Sequence, residues 1–132
     1  MSAAPPPAPH EEKEKGCVLV IDDDPAIREV VSTILALEGY CVEAAGSGAD
    51  ALELLQGGVR PRLILMDLRM PGVDGWTLHD KLKHEPALAK IPVVVISGDR
   101  DATQAGSSLC VDGVLTKPID LTDLLQTVER HC

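Results

Sequence analysis

The chain has no phenylalanine, a single tyrosine (Tyr40) and a single tryptophan (Trp76). A core built on aromatic rings is thereby excluded. The apolar 45% must fill the interior as Val, Ile, Leu and Ala, which suits a parallel sheet covered by helices. A basic surplus is also missing: 12 Lys and Arg against 21 Asp and Glu leave a net charge of −9, with no basic stripe. Direct binding to nucleic acid or to an anionic membrane is disfavoured. No apolar run approaches the ~20 residues that a membrane span needs. Residues 1–15 lack the apolar middle of a signal peptide. Cys17, Cys41, Cys110 and Cys132 form no C-x-x-C pair. They read as small buried hydrophobes in a reducing cytosol, not as a disulfide frame or a zinc site.

What is present reads as one domain, residues 16–132, behind a tail. Residues 1–15 are first Pro/Ala-rich, then a charged run, and cannot bury enough surface to fold; they are expected to be a disordered leader. Cys17 to Ile21 is a short apolar run, hence a first buried strand. Asp24-Pro25 then starts a helix as N-cap and first helical residue, with Ile27, Val30, Val31, Ile34 and Leu35 on its inner face and Gly39 at its end. A weaker strand over 40–45 precedes a second helix, capped by Ser47 and closed by Gly57-Gly58. Leu63-Ile64-Leu65-Met66 is a strand buried on both faces, and it runs straight into Asp67 before Pro71-Gly72 forces a turn. A third helix over 75–84, capped by Asp74, leads to a strand over 91–96 that ends in Ser97-Gly98. A short, poorly amphipathic fourth helix over 100–108 follows. A fifth strand over 111–116 then ends in Lys117-Pro118, and Asp120 caps a final helix with Leu121, Leu124, Leu125 and Val128 on one face. Strands alternating with helices predict a (βα)5 α/β fold, a parallel five-stranded sheet in the flavodoxin-like order 2-1-3-4-5 with helices on both sides.

In that order the carboxyl ends of strands 1, 3, 4 and 5 are neighbours. They carry Asp22 and Asp23, Asp67, Ser97 and Lys117 respectively. Two carboxylates ~4 Å apart repel by about 4 kcal/mol at an effective dielectric near 20. Three acids on one edge therefore need cations or protons. Lys117 supplies one charge. A hard divalent ion held by oxygen, Mg2+ or Mn2+, fits the remainder better than zinc, since no His or Cys stands at these ends. Carboxylate, ammonium, hydroxyl and metal together suit phosphoryl transfer, with Asp67 as the nucleophile that forms an acyl phosphate. Taken singly, each residue has a plainer reading: Asp67 and Ser97 as strand-end residues, Lys117 as a surface lysine, Asp24, Asp74 and Asp120 as caps. His79 and His84, five apart, do not stack on a helix face and read as solvated. Trp76 reads as packing for the third helix.

Val18-Leu19-Val20-Ile21-Asp22-Asp23-Asp24, Leu65-Met66-Asp67-Leu68-Arg69-Met70-Pro71-Gly72-Val73-Asp74-Gly75, Val94-Val95-Ile96-Ser97-Gly98 and Leu115-Thr116-Lys117-Pro118 occur in order at the expected strand ends. Together they resemble a receiver domain of two-component response regulators, of the stand-alone type. The resemblance implies that Asp67 accepts a phosphoryl group from a sensor histidine kinase or histidine phosphotransfer protein. Asp23 would hold Mg2+ directly, Asp22 largely through water, and the backbone carbonyl of Arg69 would be a further ligand. It implies Ser97 as the switch hydroxyl, Lys117 as the partner of the acyl phosphate, a cis bond before Pro118, a cytoplasmic location and a downstream protein target. Two features depart from that pattern. Val114 stands where many receivers carry an aromatic switch residue, and the fourth helix is weak, so output is expected to proceed by ordering that segment. Arg69 and Asp99 are expected to pair at the mouth of the site and slow hydrolysis.

Three other readings compete. A receiver that only docks is disfavoured by its complete residue set. A small Mg-dependent aspartyl phosphatase of the haloacid dehalogenase type would use the D-x-D in Asp22-Asp23-Asp24, but Pro25 breaks that motif and no cap domain follows. A nucleotide switch lacks a G-x-x-x-x-G-K-[ST] loop.

Overall fold

The computed structural model describes residues 16–67, 75–97 and 112–131, with the backbone alone at Gly75 and Trp76. Five parallel strands form one sheet: β1 (Cys17–Ile21), β2 (Cys41–Ala45), β3 (Leu63–Asp67), β4 (Val93–Ser97) and β5 (Gly113–Thr116), in the order β2-β1-β3-β4-β5. The described helices are α1 (Pro25–Leu37), α2 (Gly48–Gln56), α3 (Gly75–Lys83) and α4 (Leu121–His131). This is the flavodoxin-like α/β arrangement expected from the alternation of elements. The expected helix over 100–108, the cap Asp74, Gly98, the tail 1–15 and the Trp76 side chain lie outside the described residues.

Strand pleating divides the interior into two aliphatic layers. Leu19, Ile21, Ile64, Met66, Val93 and Val95 pack on one face under Ala51 and Leu55 of α2 and Leu78 and Leu82 of α3. Val18, Val20, Leu63, Leu65, Val94, Ile96 and Leu115 pack on the other, under Val31 and Leu35 of α1 and Leu124 and Val128 of α4. β3 and β4 are buried along their whole length, as their continuous apolar runs require.

The helix starts follow the sequence signals. Asp24 caps α1, accepting a bond from the Ala26 N–H at 2.9 Å, with Pro25 at the first position. Ser47 Oγ accepts from Asp50 N–H at 3.1 Å, and Asp120 Oδ1 from Asp123 N–H at 3.0 Å. Replacing the cap in Asp24→Ala is expected to cost about 1 kcal/mol, read as a lower urea midpoint with unchanged slope. Gly39 ends α1 at φ 96°, a conformation that side chains resist, and lets the Tyr40 N–H reach back to Leu35 C=O at 3.0 Å.

Four expectations need correction. His79 is buried, 5% exposed, beside Leu78 on the inner side of α3; only His84 is solvated. The buried arc of α3 is wide enough to include the residue next to its apolar ridge. Val30 and Leu121, placed on inner faces by spacing, are 56% and 52% exposed. Cys17 and Cys41 are half-buried rather than fully enclosed. The fourth strand begins at Val93, two residues after the start of its apolar run.

Candidate functional site

Register brings the site together. Ile21 of β1 pairs with Met66 of β3, so Asp22 and Asp67 leave adjacent strands side by side. Asp67 pairs with Ile96 of β4, and Ser97 with Thr116 of β5, next to Lys117. The Lys117 N–H donates to Ser97 C=O at 2.9 Å, extending the ladder one step past the strand. Alternation puts Asp22, Asp67 and Lys117 in line with the α1/α4 face of the sheet. The Lys117–Pro118 bond is cis, as the resemblance to receiver domains implies.

The charges are closely packed. Carboxylate oxygens of Asp22, Asp23 and Asp67 all lie within 4.8 Å of one another. Asp22 and Asp67 are buried and Asp23 is exposed. Lys117 Nζ donates to Asp67 Oδ2 at 3.0 Å and stands 3.9 Å from Asp22 Oδ2. Asp22 Oδ1 accepts the Asp24 N–H at 2.9 Å, but Asp22 Oδ2 is buried with no hydrogen bond. Burial, and then the neighbouring charges of Asp67 and Asp23, push the Asp22 carboxyl above its ordinary value, against the opposing pull of the Asp24 N–H and Lys117. Burial pulls the Lys117 ammonium down, but the bond and charge of Asp67, with the charges of Asp22 and Asp23, outweigh it and leave it raised.

Among the described residues one lysine stands against three carboxylates, which leaves that set short of positive charge. An orphaned buried carboxylate oxygen, an exposed carboxylate beside it and an all-oxygen donor set fit a hard divalent cation such as Mg2+. Arg28 was not legible as part of this edge. Its Nη1 donates to Asp22 C=O at 2.9 Å, holding the loop that carries the acids. The only available signal was a basic residue one turn into a helix that starts directly after an acidic cluster. Ser97 is buried at the end of β4. Val114 is half-buried against the α2/α3 layer. Arg69 and Asp99 lie outside the described residues.

Residues 18–129 match the family described as "Response regulator receiver domain". The chain belongs to that family. Receiver domains are signalling domains of two-component response regulators, and relatives of this receiver bear that out. It is 37% identical to the DNA-binding dual master transcriptional regulator RpaA of Synechocystis sp. over 84% of its own length, which is 46% of that protein. It is 31% identical to a 14.6 kDa protein of Leptolyngbya boryana, covering 87% of this chain and 88% of the relative. Among solved structures, the chemotaxis protein CheY4 of Vibrio cholerae superposes with a TM-score of 0.79 at 30% identity, over 88% of this chain and 98% of the other. The receiver thus spans about half the length of RpaA. Among its described residues no helix is long and apolar enough to cross a membrane.

Proposed function

We propose that residues 16–132 form a phosphorylation-controlled receiver, with 1–15 as an appended tail, and that Asp67 is its phosphoryl acceptor. The observation that carries this reading is the contact between Lys117 and Asp67 at 3.0 Å, beside the unsatisfied Asp22 Oδ2. A carboxylate oxygen of Asp67 attacks the phosphorus of a phosphohistidine. The P–N bond breaks, the imidazole leaves with its electron pair, and Asp67 becomes an acyl phosphate. Bound at Asp22, Asp23, Asp67 and the backbone carbonyl of Arg69, Mg2+ (or Mn2+) supplies the positive charge that three carboxylates and an incoming phosphoryl group require. Lys117 takes one phosphoryl oxygen, Ser97 hydrogen-bonds another, and Arg69 and Asp99 at the mouth of the site limit access of water. Because Val114 has no ring to rotate, output proceeds through reordering of the segment between β4 and β5.

The donor is a sensor histidine kinase or a histidine phosphotransfer protein. An apolar groove between α1 and α4, lined by Ile27, Val30, Ile34, Ile119 and Leu121, opens next to Lys117 and gives the donor a surface to rest on. Signalling then passes to a downstream protein target in the cytoplasm, a compartment that the free thiols Cys17 and Cys41 fit. The docking-only alternative is separated by one experiment. Intact mass after incubation with acetyl phosphate and Mg2+ should show a gain of one phosphoryl group. The gain should disappear on chelation of the metal and in Asp67→Ala. An unphosphorylated wild type, after both acetyl phosphate and a panel of histidine kinases, would reduce the domain to a docking module.

A further inference from the structure

Cys17 and Cys41 open β1 and β2 and are direct partners in the parallel register. Partnered residues of parallel strands project from the same face, here the face of Leu19, Ile21 and Ala45. Both thiols are free and partly accessible. The backbone around them is fixed on both sides: Cys41 N–H donates to Gly16 C=O at 3.0 Å, and Arg62 N–H to Cys17 C=O at 2.8 Å. Adjacent strands lie ~4.8 Å apart, inside the ~4.4–6.8 Å that a disulfide tolerates between Cα atoms. β2 is an edge strand, so Cys41 can be approached without unfolding.

We propose that Cys17 and Cys41 are a reversible redox site, a dithiol that a small disulfide of the glutathione class converts to an intramolecular disulfide. The Cys41 thiolate attacks one sulfur of the small disulfide. That S–S bond breaks and the first small thiol leaves and takes up a proton. Cys17 then gives its proton to solvent and attacks the Cys41 sulfur of the mixed disulfide, expelling the second small thiol, which is protonated in turn. Two electrons pass from the protein to the small disulfide, and two protons lost by the protein are balanced by two taken up. Cys41 lies on the edge strand and is therefore the point of attack, while Cys17, on the neighbouring inner strand, is the resolving group.

The bond is reversible for a geometric reason. Side chains that follow strand spacing keep their Cβ atoms near ~4.8 Å, whereas a relaxed disulfide holds them at ~3.8 Å. Strained disulfides are the readily reduced ones. The closed loop would contain Asp22, Asp23 and α1, tying the acidic edge to a second chemical input at the opposite end of the same strands.

The test uses the full chain carrying Cys110→Ser and Cys132→Ser, so that only this pair remains. After native incubation with oxidised glutathione, intact mass without reductant should fall by two hydrogens with no glutathione retained, and should recover with reduced glutathione. Adding Cys17→Ser should instead trap one glutathione on Cys41. Proteolysis of the wild type should yield the 17–41 linked peptides. The proposal is overturned if the native chain keeps two free thiols, or carries glutathione without an internal bond, while the urea-unfolded chain closes under the same treatment. Disulfide-linked dimers in place of the internal bond would overturn it equally.

Discussion

Lys117→Met should lower folding stability by ~2–4 kcal/mol in metal-free buffer at neutral pH, and most of that loss should return on adding Mg2+ or on mild acidification. Among the described residues Lys117 is a cation in direct contact with buried Asp67, and it stands 3.9 Å from the unsatisfied oxygen of Asp22. Removing one partner of a buried ion pair leaves the other charge uncompensated, worth ~3–5 kcal/mol when both are enclosed. Partial exposure of Lys117 screens the pair and pulls the figure down. The pH dependence follows from two raised groups. Asp22 is an acid held above its ordinary value, so its ionised form opposes folding. As pH falls through that raised value the native state takes the proton first, and stability recovers. Lys117 is a base held above its ordinary value; its contribution is complete below that value and is lost as pH climbs through the raised one, so the wild type loses stability at alkaline pH. In Lys117→Met that alkaline loss should vanish while the acid recovery grows. Mg2+ binding the native state alone adds ~2.7 kcal/mol at a hundred times its Kd. Urea titrations across pH, with and without Mg2+, read all three effects. Equal midpoints for variant and wild type in metal-free buffer would show that the carboxylates are not the burden described above.

Leu65→Ala should cost ~3–5 kcal/mol, a large fraction of the ~5–15 kcal/mol that holds a domain of this size. Leu65 is fully buried in the central strand, packed in the layer that Val31 and Leu35 of α1 share with Leu124 and Val128 of α4. Flanking strands on both sides are fixed by the ladder, so the cavity cannot collapse cheaply. Leu65→Met keeps the volume and should cost less than ~1.5 kcal/mol. Thermal melts separate the two. If Leu65→Ala melted as high as Leu65→Met, the α1/α4 layer would have to be loosely packed.

The carboxyl edge was legible because its signals are local. Continuous apolar runs of fixed strand length end in Asp22, Asp67, Ser97 and Lys117, and α/β alternation then dictates which ends meet. Burial on helices was less legible. Spacing assigns a ridge, but neighbouring elements decide how much of the arc is covered. So His79 is enclosed beside Leu78, while Val30 and Leu121 remain outside although they belong to correctly read ridges. The meeting of Cys17 with Cys41 depends on strand register, and the pairing of Arg28 with the Asp22 carbonyl depends on how a loop folds back. Neither is written in any one segment.

The alternation of the strands also limits how such a sequence can change over generations. Asp22, Asp67 and Lys117 converge because each follows, at an even step, residues of the same aliphatic layer. Deleting or inserting one residue inside β1 or β3 would invert every side chain of that strand and carry its aspartate to the opposite face. Point substitutions among Val, Ile and Leu leave that parity intact. Length variation should therefore collect in the connections at the amino ends of the strands, such as 57–62, where a gained or lost residue changes the path of the chain without moving a charge.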